Sequence, residues 1–90
     1  MDKKELKKKI DEGNNAVVEL YKKLSWEERE RFEELDLNIK YIRKCASAGI
    51  ALGVRYCIDI EKATTRKIVC EQLRPDIDWG YLRAGSKYEG

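Results

Sequence analysis

Residues 45–57 read Cys-Ala-Ser-Ala-Gly-Ile-Ala-Leu-Gly-Val-Arg-Tyr-Cys, and this stretch decides how the rest of the chain can fold. Small residues recur there at every fourth position, namely Cys45, Gly49, Gly53 and Cys57. On a single α-helix this spacing places all four on one face, where another backbone can approach more closely than Leu or Phe would allow. We therefore predict a close helix contact along this small-residue stripe, either inside the chain or as a self-association seam between copies.

The same region carries a second, competing pattern. Apolar residues alternate with other residues over 50–60, as expected for one face of a β-strand: Ile50, Leu52, Val54, Tyr56, Ile58 and Ile60. A turn at Thr64-Thr65 followed by a returning strand would then give an α+β fold, with two helices and a β-hairpin at about 50–73. Arg55, Asp59 and Lys62, however, form a polar face at helical spacing. We favour the helix because it continues the phase of the preceding residues, and the hairpin remains the alternative.

The N-terminal third has the pattern of an amphipathic helix. Apolar and small residues recur at spacings of three and four over residues 3–24: Leu6, Ile10, Gly13, Val17, Leu20 and Leu24. The weakest point of this helix is Gly13-Asn14-Asn15, where three poor helix formers predict a kink or a restart. Ser25 and Glu28 fit a capping box, which predicts that a second helix starts at Trp26. Asp36-Leu37-Asn38 could end this second helix and cap a third, and the sequence is equally compatible with a helix that continues through these residues.

These patterns predict a small all-α protein. Pro75 ends the helical part, because it lacks a backbone N–H and restricts Arg74 to extended conformations. We therefore expect a single helical domain over residues 1–75, built as a helical hairpin or bundle, and an irregular C-terminal tail over residues 76–90. Ninety residues form a thin core, so association of the chain with further copies of itself is expected.

Composition narrows the classes of function. The chain has 19 basic and 17 acidic side chains, and a net charge of +2 is too small to attract polyanions by itself. Histidine is absent, the three cysteines lack CxxC spacing, and the acidic residues of 27–34 alternate with arginines as on a solvated helix face. We expect no enzymatic activity, no cofactor and no metal. Without a signal sequence or a long apolar run, we expect a cytoplasmic protein with no membrane partner.

Two groups of residues are candidates for partner binding. Basic side chains in the second half of the chain form one possible electrostatic surface: Arg43, Lys44, Arg55 and Arg66, with Lys40 beside them. The tail offers Trp79, Tyr81 and Arg83, a composition that is enriched at interaction hot spots. The alternative for Trp79 is that it folds back and covers a thin core. The five lysines among residues 3–9 are interpreted as a solvated helix face.

The leading functional hypothesis follows by elimination. We expect a small interaction protein that modulates or inhibits a larger macromolecular partner, most simply a protein, as do many accessory proteins of phages and mobile elements. The alternative is a nucleic-acid or nucleotide-binding module that uses the basic surface, with Tyr41 or Tyr56 available for base stacking. We find no helix-turn-helix, RRM, KH or zinc-finger signature that specifies a binding mode.

Overall fold

The computed structural model describes residues 2–85, with side chains through residue 82. Six helices follow one another: α1 Lys3–Lys23, α2 Trp26–Glu34, α3 Ile39–Ala48, α4 Val54–Ala63, α5 Cys70–Leu73 and α6 Trp79–Gly85. The described part of the chain contains no strand, so the all-α prediction is confirmed and the β-hairpin at 50–73 is not formed. Helix α1 packs against α3 and α5, while α4 packs against α5 and α2.

Helix α1 is continuous through the segment where we predicted a kink. Its N-cap is Asp2, whose carboxylate accepts the Glu5 N–H at 2.8 Å. Asn14 is fully buried, and its amide donates to the carbonyl oxygen of Ile50 at 3.0 Å, while the Asn15 amide donates to the carbonyl of Asp11. These contacts hold poor helix formers in the helix, because tertiary packing outweighs intrinsic propensity.

The start of α2 is the predicted capping box. The Ser25 hydroxyl accepts the Glu28 N–H at 3.2 Å, and the Glu28 carboxylate accepts the Ser25 N–H at 3.2 Å. The hydrogen bond from the Ser25 N–H is the main reason why the pKa of Glu28 lies below its usual value. Arg29 then donates to the carbonyls of Tyr21 and Lys22, which satisfies two acceptors at the end of α1. The two helices are thus joined by side-chain hydrogen bonds across a short connection.

The prediction of one helix through residues 45–57 is wrong. Gly49 ends α3 in the left-handed conformation, with φ of 70°, and Gly53 is the N-cap of α4. A Cβ added to Gly53 would meet nothing within 4 Å, so this glycine faces open space. Cys45 and Cys57 are buried, but they belong to different helices. The small-residue stripe therefore has no continuous surface along which a second helix could pack.

A close backbone contact does exist, but at Gly13 of α1. A Cβ at this position would lie 2.3 Å from the carbonyl oxygen of Gln72 and 3.2 Å from the Cα of Leu73. Real Cβ atoms do not approach that closely, so only glycine lets α1 lie against α5 here. The predicted mode of packing is thus present, at a position that we interpreted as a weakness of α1.

The first part of the C-terminal tail is packed into the core. Trp79 is 4% exposed, and its indole N–H donates to the carbonyl of Arg74 at 2.8 Å. Arg74 in turn donates to the carbonyl of Leu52 at 2.8 Å and makes two hydrogen bonds to Asp76, at 2.9 and 2.7 Å. The Arg74 guanidinium holds the pKa of Asp76 below its usual value. Beyond Pro75, the chain therefore remains tied to the domain at least as far as Trp79.

Candidate functional site

Helices α2 and α3 are joined by the four residues 35–38. Asp36 adopts φ of 58°, a left-handed conformation that reverses the chain, and the Leu37 N–H then donates to the carbonyl of Phe32 at 2.7 Å. Phe32 and Leu37 are both buried. One left-handed residue followed by one buried side chain thus makes a compact turn between two short helices.

The first turn of α3 is held by hydrogen bonds on both sides. The Asn38 side chain accepts the N–H groups of Lys40 and Tyr41, which caps the helix. The Asn38 N–H donates to the Tyr56 hydroxyl at 3.1 Å, and the Tyr56 ring meets the Tyr41 ring edge-on at 5.3 Å. Helix α4 thus fixes the end of α3 that follows the turn. Because its hydroxyl is engaged and its ring is packed, Tyr56 is not free to stack on a base, whereas Tyr41 is 44% exposed.

Helix α3 has one buried face and one basic face. Ile42 and Cys45 point into the core, with exposures of 0% and 1%. The exposed residues Lys40, Arg43 and Lys44 carry the charge, and α3 contains no acidic residue. Among the described residues, none of these three cations lies in an ion pair with a carboxylate. We call this exposed side, with Ser47, the basic face of α3.

The structure separates the other residues of the expected electrostatic surface from α3. Arg55 lies on α4 and pairs with Asp59 at 3.2 Å, and Asp59 is buried rather than part of an exposed polar face. Arg66 lies in the connection after α4 and faces Glu61 at 3.8 Å. Of the expected surface, only Arg43 and Lys44 are brought together, and Lys40 joins them.

The residues expected in the tail are also separated. Trp79 is buried and so is not available to a partner, while Tyr81 is 74% exposed. The side chain of Arg83 lies outside the part of the molecule that the structure describes. Of the described tail residues expected to bind a partner, only Tyr81 is therefore exposed.

The three cysteines occupy the interior. Cys45, Cys57 and Cys70 are buried and unbridged, and burial raises the pKa of Cys57 to about 11. A thiol with so high a pKa is almost fully protonated at neutral pH and is a poor nucleophile and a poor metal ligand. In residues 2–82, no group of His, Cys, Asp and Glu side chains has the geometry of a metal site. Over the same residues no helix is long and apolar enough to span a bilayer.

The conformation of Asp36 gives a first testable prediction. Glycine adopts a positive φ without the steric cost that a Cβ imposes, so Asp36→Gly should stabilise the protein by up to about 1 kcal/mol. Urea denaturation would measure the gain as a higher midpoint. Asp36→Ala is the matched control, because it removes the same carboxylate but keeps the Cβ, and it should not stabilise. Equal midpoints for the two variants would contradict this account of the turn.

Two short helices, a four-residue turn and a basic second helix give this small all-α protein the element order of a helix-turn-helix. Sequence reasoning missed it, although a signal was available. Asp36-Leu37-Asn38 places a residue that tolerates the left-handed conformation, a buried residue and an N-cap in succession. The basic residues of α3 then follow directly.

Two comparisons with known proteins found sequences similar to parts of this chain. Residues 40–82, which include most of α3 and all of α4 and α5, match the family described as Bacterial toxin YdaS. A protein of Escherichia coli (strain K12), named "Putative transcriptional regulator YdaS", is 63% identical over 32 residues. That match covers 36% of this chain, which spans about a third of the relative's length, since 33% of it is matched. No solved structure matches.

These findings correct the leading functional hypothesis. An inhibitor that acts by covering a protein partner is contradicted, because the matched family and relative are described as a toxin and a transcriptional regulator. The alternative hypothesis, a nucleic-acid-binding module with a basic surface, agrees better with them.

Proposed function

We propose that this protein is a DNA-binding regulator without enzymatic activity, acting in the cytoplasm, and that α3 enters the major groove of duplex DNA. The single observation that carries the proposal is the basic face of α3, presented by a four-residue turn from α2. The major groove is wide enough for one α-helix, and the second helix of a helix-turn-helix is the one that occupies it. The relative's name as a transcriptional regulator supports this assignment.

The charges on α3 suit both phosphates and base edges. Lys40 and Lys44 are four residues apart, so both lie on one side of the helix and can reach the DNA backbone. Arg43 has a planar guanidinium that can donate two hydrogen bonds to the O6 and N7 acceptors of guanine. Fixing of the α3 N-terminus by Asn38 and Tyr56 would hold these side chains in one orientation toward the groove.

The test is a titration of fluorescently labelled duplex DNA by anisotropy over a range of salt concentrations. The double variant Arg43→Gln/Lys44→Gln removes two charges from the basic face of α3. Its matched control, Lys62→Gln/Lys67→Gln, removes two exposed charges from the end of α4 and the connection after it. Each phosphate contact contributes about −0.9 to the slope of log K against log salt, so we expect the α3 variant to lose affinity roughly tenfold and about 0.9 units of slope, since Lys44 contacts a phosphate and Arg43 a base edge.

Two outcomes would overturn the proposal. The first is a wild-type protein with no affinity for duplex DNA even at about 20 mM salt, where electrostatic contacts are strongest. The second is an equal loss of affinity in the α3 variant and the control, which would assign the binding to net charge alone. Circular dichroism of both variants should match the wild type, because all four side chains are exposed.

The expected self-association fits the same proposal. Helix-turn-helix proteins that act as dimers read two half-sites about 34–36 Å apart, one turn of the duplex. A dimer of this chain would use a surface other than the small-residue stripe, since that stripe is divided between α3 and α4. Sedimentation with and without a duplex would determine the stoichiometry.

A further inference from the structure

The acidic charge of α2 affects how this protein can contact the DNA backbone. In helix-turn-helix proteins the first helix of the motif crosses the backbone beside the groove. Here the exposed side of α2 carries four carboxylates against one exposed arginine, Arg31; the carboxylates are Glu27, Glu30, Glu33 and Glu34. Four negative charges repel phosphates, so α2 is poorly suited to this contact. Contacts with the flanking phosphates must then come from another part of the molecule.

The lysine-rich first turns of α1 lie near the C-terminal end of α3. The Cε atom of Lys7 is 3.1 Å from the position that a Cβ on Gly49 would take, and Gly49 is the C-cap of α3. Two turns after Lys7, the Asn14 side chain of α1 donates a hydrogen bond to the carbonyl of Ile50. Near the other end of α1, Tyr21 lines one cavity together with Ile39, at the start of α3. Along α1 the neighbouring residues therefore change from the C-terminal end of α3 to its start, which places the first turns of α1 near the C-terminal end of α3.

The lysines in these turns line an open surface depression. Its volume is about 620 Å³, and its lining residues are Lys4, Lys7, Lys8, Asp11, Glu12 and Asn15. The Asp11 carboxylate is turned partly inward, because its Oδ1 atom is buried and has no hydrogen-bond partner within the described residues. Lys4, Lys7 and Lys8 are exposed, and none of them pairs with a carboxylate of the described residues within 4.0 Å. Three lysines against the carboxylates of Asp11 and the exposed Glu12 give the lining of the depression a formal net charge of +1.

We propose that Lys4, Lys7 and Lys8 of α1 bind the phosphate groups of duplex DNA that flank the groove occupied by α3. The inference rests on the proposed function and adds a second contact surface to it. Lysine is a flexible point charge, suited to phosphates rather than to base edges, so this surface contributes affinity without sequence preference. It takes the place of the contact that the acidic α2 cannot make.

The test compares Lys4→Gln/Lys8→Gln with the control Lys62→Gln/Lys67→Gln, which changes the net charge equally. Both are titrated with a duplex of random sequence and with a preferred duplex selected from a random pool. We expect the α1 variant to lose up to about 1.8 units of salt slope and to bind both duplexes roughly tenfold more weakly, so that the ratio of the two affinities is unchanged. The control should lose much less.

Two results would overturn the inference while leaving the proposed function intact. If the α1 variant keeps the wild-type salt slope while Arg43→Gln/Lys44→Gln loses binding, α3 contacts DNA without help from α1. If the α1 variant and the control lose equal affinity, the effect belongs to net charge. Absence of binding by the wild-type protein would instead overturn both proposals together.

Discussion

Replacing Trp79 with alanine should cost about 3–5 kcal/mol of the free energy of unfolding, the range seen for large aromatic side chains removed from protein cores. Trp79 is 4% exposed and belongs to the main core cluster, and its indole N–H satisfies the carbonyl of Arg74. Domains of this size have a total stability of about 5–15 kcal/mol, so Trp79→Ala should leave the protein close to unfolding. Urea denaturation followed by circular dichroism would measure the change.

Two further variants separate the contributions to this effect. Trp26→Ala is the matched control, because Trp26 is 68% exposed at the start of α2 and its loss should change stability by no more than about 0.5 kcal/mol. Trp79→Phe keeps a ring in the core but removes the donor, and should cost about 1–3 kcal/mol by leaving the Arg74 carbonyl unsatisfied and part of the site unfilled. Similar midpoints for Trp79→Ala and Trp26→Ala would show that the tail does not belong to the core.

The second large effect is expected at Gly13. Gly13→Ala places a Cβ 2.3 Å from the carbonyl oxygen of Gln72, and this neighbour is backbone rather than a flexible side chain. Helices α1 and α5 must separate to make room, and overpacking of this kind costs about 1–3 kcal/mol. Alanine is the better helix former by about 1 kcal/mol, but the backbone of Gln72 cannot move aside as a side chain would, so we expect a net loss of about 1–2 kcal/mol. For a domain of this size, 1 kcal/mol corresponds to about 4–8 °C in melting temperature.

The same substitution at Gly80 is the control for Gly13. Gly80 is exposed in α6, and the nearest atom to an added Cβ is the Asp78 carboxylate oxygen at 3.5 Å, an ordinary contact. Gly80→Ala should therefore leave the melting temperature unchanged or raise it. Gly53→Leu should also be tolerated, because the space around that Cβ is open. A Gly13→Ala protein as stable as the wild type, or a large loss for Gly53→Leu, would show that the close helix contact lies elsewhere.

Local signals along the chain predicted several elements correctly. The capping box at Ser25 and Glu28 depends on residues three apart, so its hydrogen bonds form within a single turn. The apolar stripe of α1 likewise reflects one helix and its period. In the site, the sequence indicated Arg43 and Lys44, but it joined them to Arg55 and Arg66. Arg43 and Lys44 are separated from Arg55 and Arg66 because α3 ends at Ala48. The sequence does not show this end, since small residues keep the same four-residue spacing on both sides of it.

Gly13, Gly49 and Gly53 show the limit of sequence reasoning most clearly. The amino-acid sequence alone determined helices α1 and α2, because the period of the apolar residues and the capping box at Ser25 act within a few residues, but it left residues 50–73 open between a helix and a β-hairpin. Only the tertiary structure decided which glycine meets another backbone, which one ends a helix and which one faces solvent. Those roles depend on residues far apart in the chain, such as Gly13 against Gln72, and a local pattern carries no information about such distant neighbours.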